Sequence, residues 1–326
     1  MKDFEVKEII INITKRCPYF CSFCLLDAIP YIYDLRSTPK DEIPSTLWIR
    51  TLETLLNTSS KIENIDISGG DPLFYTYTRN LVKDLLEIVP HEVLSISTTG
   101  KNYQVKLRFL DEVDYKGEIE LTVDTPPEII DREREKYNES NYLFAKTLIE
   151  RGYKVTIVTV LRKDTIIYLA DLMNIIENLS PMQWAVIPYY AVGRGIDKDL
   201  APTTNQLYGA YLSLVRFSQE SGIPVKFQHS TYFLIKNYLL KHLNIKIPHV
   251  CEIPYQIGIL PNGDVVFCPW GLNRGGKPFS WNKIGNIAEE LIESLLKKRA
   301  KIIKENFEKE GFNFCRARTF IRNKSK

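Results

Sequence analysis

"EIIINITKRCPYFCSFC", residues 8–24, joins a run of β-branched residues to three cysteines. The run at 8–14 is almost continuously apolar, as expected of a parallel strand that is buried on both faces. Reactive side chains in folds built from parallel strands lie in the loops at the carboxyl ends of those strands. The stretch therefore predicts the first strand of a parallel sheet and places a functional site directly after it.

Similar runs recur along the chain and alternate with amphipathic segments. The further predicted strands are "ENIDIS" (63–68), "EVLSIST" (92–98), "EIELTVD" (118–124), "KVTIVTVL" (154–161) and "WAVIPYY" (184–190). The predicted helices between them cover 45–57, 78–89, 138–150, 165–179 and 203–220, the first with Ser45 as its N-cap. Six β-α units predict a parallel sheet with right-handed crossovers, and six rather than eight units predict an open, partial barrel.

The alternation stops after residue 223, which predicts a second and smaller unit. A predicted helix at 231–243 is followed by a predicted hairpin, "IGILPNGDVVFC" (257–268), that turns at Asn262–Gly263. Another helix is expected at 286–306. We therefore predict an α/β partial (β/α)6 barrel over 1–222 and a small α+β domain over 223–326.

Composition excludes several classes of protein. The 326 residues are 44% apolar and 25% charged with a net charge of +3, which predicts a globular protein without a nucleic-acid partner. The basic cluster at 297–304 is typical of a solvated helix face. No apolar run has the length of a membrane span, and the first residues lack a signal-peptide core, so we expect a cytoplasmic protein with no membrane partner. Six cysteines in that reducing compartment favour metal or redox chemistry over disulfides.

Three thiols at positions 17, 21 and 24 can supply three ligands to one inorganic group. Zinc in a closed structural site needs a fourth ligand, for which His249 is a candidate. A [4Fe–4S] cluster held by three cysteines instead leaves one iron open to an external chelating ligand. The spacing favours the cluster but leaves zinc as an alternative.

The spacing Cys17-x3-Cys21-x2-Cys24, with the aromatic Phe23 before the last cysteine, resembles the signature of the radical S-adenosylmethionine (SAM) superfamily. That family has a partial (β/α)6 barrel. The resemblance implies that Cys17, Cys21 and Cys24 bind a [4Fe–4S] cluster whose open iron is chelated by SAM. It also implies reductive cleavage of SAM to a 5′-deoxyadenosyl radical, which abstracts a hydrogen atom from substrate. A low-potential electron donor such as flavodoxin or ferredoxin is the implied partner.

A second segment, "ISGGDPL" (67–73), follows the second predicted strand. Alone it could be an ordinary turn, but after the cysteine motif it resembles the family's GGEP segment, with aspartate in place of glutamate. The resemblance implies that Asp71 holds the methionine amine. The cofactor contacts that we predict from these and weaker strand-end resemblances are Phe23, Gly69, Gly70, Asp71, Pro72, Thr98, Thr122, Asp124 and Ile187. Thr122 and Asp124 share one face of a strand and could reach the ribose hydroxyls.

The remaining cysteines resemble an auxiliary-cluster extension of the SPASM/Twitch type. Cys251-x11-Gly263-x4-Cys268 is followed by "KIGNI" (283–287) and by Cys315, whereas the longer cysteine block of full SPASM members is absent. The resemblance implies one auxiliary iron–sulfur cluster, of the [4Fe–4S] type, on Cys251, Cys268 and Cys315. Its fourth iron is either open or bound by a further ligand, for which His249 is a candidate.

The substrate is predicted from the family alone. Oxidation or cross-linking of a peptide is the first choice, and dehydrogenation or rearrangement of a small metabolite or sugar is the alternative. A non-catalytic iron–sulfur electron carrier or a structural zinc protein is the rival from a different class. Tyr189 is a candidate catalytic residue, and because neighbouring strand residues point to opposite sides, we expect at most one of Tyr189 and Tyr190 to face the cavity.

Overall fold

The computed structural model describes residues 5–59, 61–134, 137–228 and 251–307. Its centre is a sheet of mainly parallel strands. The strands are β1 (Glu8–Asn12), β2 (Arg16–Cys17), β3 (Ile29–Pro30), β4 (Asn64–Ser68), β5 (Leu94–Thr98), β6 (Glu118–Thr122), β7 (Lys154–Leu161), β8 (Gln183–Pro188), β9 (Val225–Phe227), β10 (Gln256–Ile259), β11 (Asp264–Val266) and β12 (Lys283–Asn286). All six predicted parallel strands are present.

One sheet contains ten of these strands in the order β12-β11-β10-β1-β4-β5-β6-β7-β8-β9. The strands from β10 to β9 in this order are parallel, and β10, β11 and β12 pair antiparallel. The prediction of an α/β fold on an open parallel sheet is confirmed. The carboxyl ends of β1, β4, β5, β6, β7 and β8 lie at one edge of the sheet.

Helices connect the parallel strands. They are α1 (Ser45–Thr58), α2 (Thr76–Leu86), α3 (Tyr103–Glu112), α4 (Tyr137–Glu150), α5 (Leu169–Leu179), α6 (Thr204–Ser221) and α7 (Ile292–Ile302). The prediction that Ser45 caps α1 is wrong, because Ser45 is the first helical residue and Pro44 occupies the N-cap. No helix in the described ranges is long and apolar enough to cross a membrane.

β4 and β6 have one apolar face and one polar face, which corrects the prediction of two apolar faces for these two strands. Ile65 and Ile67 of β4 and Ile119 of β6 are fully buried in the main core, which they share with residues of the helices. The alternate positions Asp66 and Glu120 line cavities inside the barrel. These cavities are also lined by apolar residues of other strands: Ile10, Val158, Val160 and Ile187.

The predicted hairpin at 257–268 is confirmed, with β10 and β11 as its strands and the turn at Asn262–Gly263. Its first strand pairs parallel with β1, so the hairpin extends the barrel sheet, and "KIGNI" contributes β12 beside it. The domain boundary at 222/223 stays a prediction. The expected helix at 231–243, His249 and Cys315 lie outside the described residues.

Candidate functional site

A cavity of about 300 Å³ lies at the carboxyl ends of the parallel strands. The predicted site residues that line it are Cys17, Cys21, Phe23, Cys24, Gly69, Gly70, Thr98, Thr122, Ile187 and Tyr189. Asp71, Pro72 and Asp124 are not among its lining residues. The structure therefore brings the three thiols, the glycine pair and the ends of β5, β6 and β8 to one space, but it holds two predicted carboxylates outside that space.

The loop that carries the thiols is held by hydrogen bonds from its own backbone and from distant parts of the chain. The backbone N–H of Tyr31 donates to the carbonyl of Cys17 at 2.8 Å, and that of Cys24 donates to the carbonyl of Cys21 at 3.2 Å. The N–H of Ala28 also donates to Cys24 Sγ at 3.3 Å, which fixes the direction of this thiol.

Arg194, in the turn after β8, clamps the cysteine loop. Its Nη1 donates to the carbonyl of Cys21 at 2.7 Å, and its backbone N–H donates to the carbonyl of Cys24 at 2.9 Å. Its Nε pairs with Asp27 at 2.6 Å, and the other oxygen of Asp27 accepts the N–H of Gly275 at 2.8 Å. The Gly-Arg-Gly turn of residues 193–195 therefore positions the loop of thiols.

The donor set fits an iron–sulfur cluster. Burial raises the pKa of the Cys17 thiol well above its usual value, and it raises the pKa of Cys21 to about 12 although Arg134 opposes the shift. Buried thiols bind metal as thiolates, so they need a cationic group to compensate the charge. Within the described ranges, no three Cys, His, Asp or Glu side chains are grouped around a position for a single metal ion. Three thiols on one cavity wall instead suit a cluster, which takes one thiolate per iron.

The two glycines of the 67–73 segment allow two backbones to meet. A Cβ at Gly69, where φ is +140°, would lie 2.5 Å from the carbonyl oxygen of Thr14, and a Cβ at Gly70 would lie 2.0 Å from that of Arg16. The N–H of Gly70 donates to Thr14 O at 2.8 Å, and that of Asp71 donates to Arg16 O at 2.9 Å. The glycines thus allow this turn to approach the start of the cysteine loop closely.

Replacement of Gly70 by alanine should therefore push the cysteine loop away from the sheet. An inserted methyl group in a tightly packed site costs about 1–3 kcal/mol, which thermal and denaturant unfolding of the cluster-free protein would measure. Gly209→Ala is the matched control, because a Cβ there meets no atom within 4 Å. Gly209 is in α6, where alanine should stabilise by about 0.5–1 kcal/mol. Equal stability of the two variants would contradict this account of Gly70.

Asp71 is fully buried and already has a cationic partner. Lys106 Nζ of α3 lies 2.5 Å from Asp71 Oδ2, and the hydroxyls of Thr98 and Thr99 donate to the two carboxylate oxygens at 2.6 and 2.5 Å. Lys106 also donates to the carbonyl of Thr99 at 2.6 Å. The structure thus does not place an open carboxylate at the cavity for the methionine amine. Asp71 instead fixes Thr98 and the chain after Gly70.

Asp124 is likewise engaged behind the cavity wall. Its Oδ2 lies 3.1 Å from Arg134 Nε and 3.0 Å from Arg162 Nη1, and all three side chains are at most 9% exposed. The guanidinium carbons of both arginines lie over the ring of Phe23, at 4.5 and 4.6 Å from its centroid. Burial lowers the pKa of Arg134, but Asp124, Cys21, Tyr137 and Asp131 together outweigh this effect, so the arginine pKa is raised. The predicted contact of Asp124 with ribose is not supported, whereas Thr122 does line the cavity.

Tyr189 and Tyr190 both line the cavity, so the expectation that at most one would do so is wrong. The reason is that β8 ends at Pro188, and strand alternation does not continue beyond it. The Tyr189 hydroxyl donates to the carbonyl of Gly195 at 2.7 Å and burial raises its pKa. The predicted catalytic residue therefore has a structural hydrogen bond in addition to its place on the wall.

The C-terminal part of the chain supplies one side of the cavity. Pro269 and Trp270, which line it, directly follow Cys268. Cys268 is buried in the main core, and the partly buried Cys251 packs against that core. The side chain of Asn282 forms hydrogen bonds with the backbone N–H and carbonyl of Cys268. The auxiliary cluster on Cys251, Cys268 and Cys315 stays a prediction.

Sequence reasoning missed Lys106, Arg134, Arg194 and Trp270. Lys106 lies on the buried face of α3, and a charged residue there hides the apolar stripe by which a helix is recognised, so α3 was missed as well. Arg194 was visible only as part of a Gly-Arg-Gly turn. No local signal links Arg134 or Trp270 to the site, because each reaches it through the tertiary fold.

Comparison with known proteins gives one family and several structures. The family model described as the Radical SAM superfamily matches residues 11–176, just over half of the chain. Streptococcus suis SuiB bound to precursor peptide SuiA is similar with a TM-score of 0.68 and 18% identity, over 90% of this chain and 64% of that chain. This chain therefore spans less than two thirds of the SuiB chain.

A second similar structure is anSMEcpe with bound AdoMet. The TM-score is 0.63 with 15% identity, over 91% of this chain and 82% of that chain. The complex of anSMEcpe with AdoMet and the Cp18Cys peptide gives the same values. At these identities the likeness shows a shared fold.

Proposed function

The chain belongs to the radical SAM superfamily, and on that premise we propose that it modifies peptides by hydrogen-atom abstraction. The superfamily uses a [4Fe–4S] cluster together with SAM, which when bound supply a 5′-deoxyadenosyl radical as the hydrogen-abstracting species. The observation that carries the proposal is the convergence of the thiols of Cys17, Cys21 and Cys24 and the Gly69–Gly70 backbone on one cavity.

Different residues of the proposed site would bind the cluster and SAM. Cys17, Cys21 and Cys24 would hold the cluster, on a loop that Arg194 keeps in place. Gly69, Gly70, Phe23, Thr98, Thr122 and Ile187 are the lining residues proposed to contact SAM. Arg134 and Arg162 fix the ring of Phe23 from behind. Pro269 and Trp270 line one side of the space where the substrate would react.

A peptide substrate is proposed because two of the similar structures contain peptides, SuiB bound to precursor peptide SuiA and anSMEcpe bound to AdoMet and the Cp18Cys peptide. A second cluster on Cys251, Cys268 and Cys315 would lie close to that peptide, since Cys268 precedes the cavity-lining Pro269 and Trp270. Such a cluster could accept the electron that remains after hydrogen abstraction and proton loss. A low-potential donor such as flavodoxin or ferredoxin would reduce the first cluster.

Anaerobic reconstitution with iron and sulfide, followed by dithionite and SAM, tests the proposal. We expect 5′-deoxyadenosine from the protein alone, and severalfold more with substrate peptides drawn from a synthetic library. An oxidised peptide product should be lighter by two hydrogens in mass spectrometry. If small metabolites stimulate cleavage and no peptide does, the peptide assignment is wrong. A protein with about four or more irons per chain that yields no 5′-deoxyadenosine would contradict the proposal itself.

A further inference from the structure

Two carboxyl groups lie deep in the barrel, below the level of the thiols. Asp66 of β4 and Glu120 of β6 line the cavity described above and also a second cavity of about 160 Å³ beneath it. Each lies two residues before a lining residue of the upper level, Ser68 and Thr122 respectively. Since two strand residues advance about 6.6 Å, the carboxyls form a floor roughly one side-chain length below the proposed SAM contacts.

The two carboxyls share one hydroxyl group. Ser97 Oγ lies 3.2 Å from Asp66 Oδ1 and 2.9 Å from Glu120 Oε2, and a hydroxyl can donate its hydrogen to only one of them. Neither carboxyl forms a salt bridge within the described part of the chain. Burial and the neighbouring Glu120 raise the pKa of Asp66 well above its usual value, and burial and Glu118 raise the pKa of Glu120. The two carboxyl groups of the floor therefore have no ion-pair partner among the described residues, and burial disfavours their anionic forms.

An unsatisfied hydroxyl faces the same space. Thr156 of β7 pairs in register with Glu120, is 1% exposed and lines the second cavity. Its Oγ1 has no hydrogen-bond partner among the described residues. Buried polar atoms in folded proteins are almost always hydrogen-bonded, so an orphaned oxygen beside two acidic groups indicates a missing donor.

No charged group on the described part of the wall forms an ion pair with Asp66 or Glu120. Glu8 and Glu252 also line the second cavity, and Lys226 is the cation on the described part of its wall. Lys226 is largely exposed to solvent, which weakens its effect on the interior. Arg134, on the wall of the upper cavity, is already paired with Asp124.

We propose that this floor binds the cationic end of the substrate, an ammonium or guanidinium group, with Asp66 and Glu120 as charge partners and Thr156 as a further acceptor. An ammonium group has three N–H donors, which matches three acceptor groups. A charge-assisted bond to each carboxylate also removes the repulsion between them. The inference rests on the proposed function, because it takes the barrel interior to be where the substrate reacts. It assigns a peptide with a lysine-like or arginine-like side chain, whose aliphatic stem would pass Ser68 and Thr122.

Binding of small probes to the reconstituted protein, without reductant, tests the site independently of turnover. n-Butylammonium and n-butylguanidinium should raise the thermal midpoint in a dose-dependent way, whereas n-pentanol should not. Asp66→Asn/Glu120→Gln should weaken the binding of both cations at least tenfold, and Thr156→Val should weaken it severalfold. Asp84→Asn/Glu87→Gln, which removes the same two charges from an exposed surface, should bind the probes as the wild type does.

Thermal unfolding of the double variant Asp66→Asn/Glu120→Gln shows whether it is correctly folded. Because the folded-state pKa values of both carboxyls are raised, the wild type loses stability as pH rises through them. At pH 7 the double variant, which lacks both charges, should therefore unfold at an equal or higher temperature than the wild type. The difference between the two unfolding temperatures should disappear near pH 4. Unchanged probe affinity in a well-folded double variant would overturn the site, as would equal stabilisation by n-pentanol or by MgCl₂. These results do not depend on 5′-deoxyadenosine, so they separate this inference from the proposed function.

Discussion

Replacing Cys17, Cys21 and Cys24 together with alanine should reduce 5′-deoxyadenosine formation to the level of a reaction without enzyme. The three thiols are proposed to be the protein's whole ligand set for the SAM-binding cluster, so the variant has no group from which SAM could be reduced. All three line the same cavity, and Arg194 holds the backbone at two of them. Iron should fall from about eight to about four per chain, since the proposed second cluster is untouched.

The matched control removes the other three cysteines. The variant with alanine at Cys251, Cys268 and Cys315 should also lose about half of the iron. It should still cleave SAM, but it should no longer complete the modification of the peptide. If the first triple variant still makes 5′-deoxyadenosine, the ligand assignment is wrong. If the second triple variant keeps all of its iron, the auxiliary cluster does not exist.

Lys106→Met should cost about 3–5 kcal/mol of stability, because it leaves the carboxylate of Asp71 buried without a cation. The two side chains are 1% and 0% exposed, and burial already lowers the pKa of Lys106. Asp71→Asn should be damaging for the converse reason, since it leaves a buried ammonium group. The double variant Asp71→Asn/Lys106→Met should recover much of the loss, because neither charge then remains.

An exposed ion pair provides the comparison. Lys83 and Glu112 are 3.1 Å apart with side chains 53% and 65% exposed, and Lys83→Met should change the stability by less than about 1 kcal/mol. Denaturant unfolding of all four variants without cluster measures both effects. If Lys106→Met lowers the free energy of unfolding by less than about 1 kcal/mol, the Asp71–Lys106 pair does not stabilise the strand ends of the site.

The sequence predicted the sheet well because each strand is a short β-branched run between amphipathic helices. It did not show that β4 and β6 each have one apolar face and one polar face. Asp66 and Glu120 interrupt otherwise apolar runs at every second position, which is the pattern of a strand with one polar face, but each run is so short that the alternation is easily missed. The seventh parallel strand, β9, was also missed, since three residues carry too little periodicity.

The site was predicted correctly where one short segment supplies the residues and less well where charges pair over long distances. The thiols and the glycine pair occur in two compact motifs, and the structure brings them together. Asp71 and Asp124 have the right position in sequence to contact the cofactor. Their partners Lys106, Arg134 and Arg162 come from other elements, and only the folded chain shows that these carboxylates are already occupied.

The pairing of β1 with β10 joins the strand before the thiols to a part of the chain that is synthesised much later. Residues 8–11 have 256–259 as partners on one edge, and the loop of thiols is fastened by Arg194 and by Asp27 bound to Gly275. Cys17, Cys21 and Cys24 precede Arg194 and Gly275 in the chain, so they are synthesised before the groups that hold their loop. Contacts so distant in sequence form late in folding. The loop therefore reaches its folded geometry, in which the three thiols line one cavity, only after Gly275 has been synthesised.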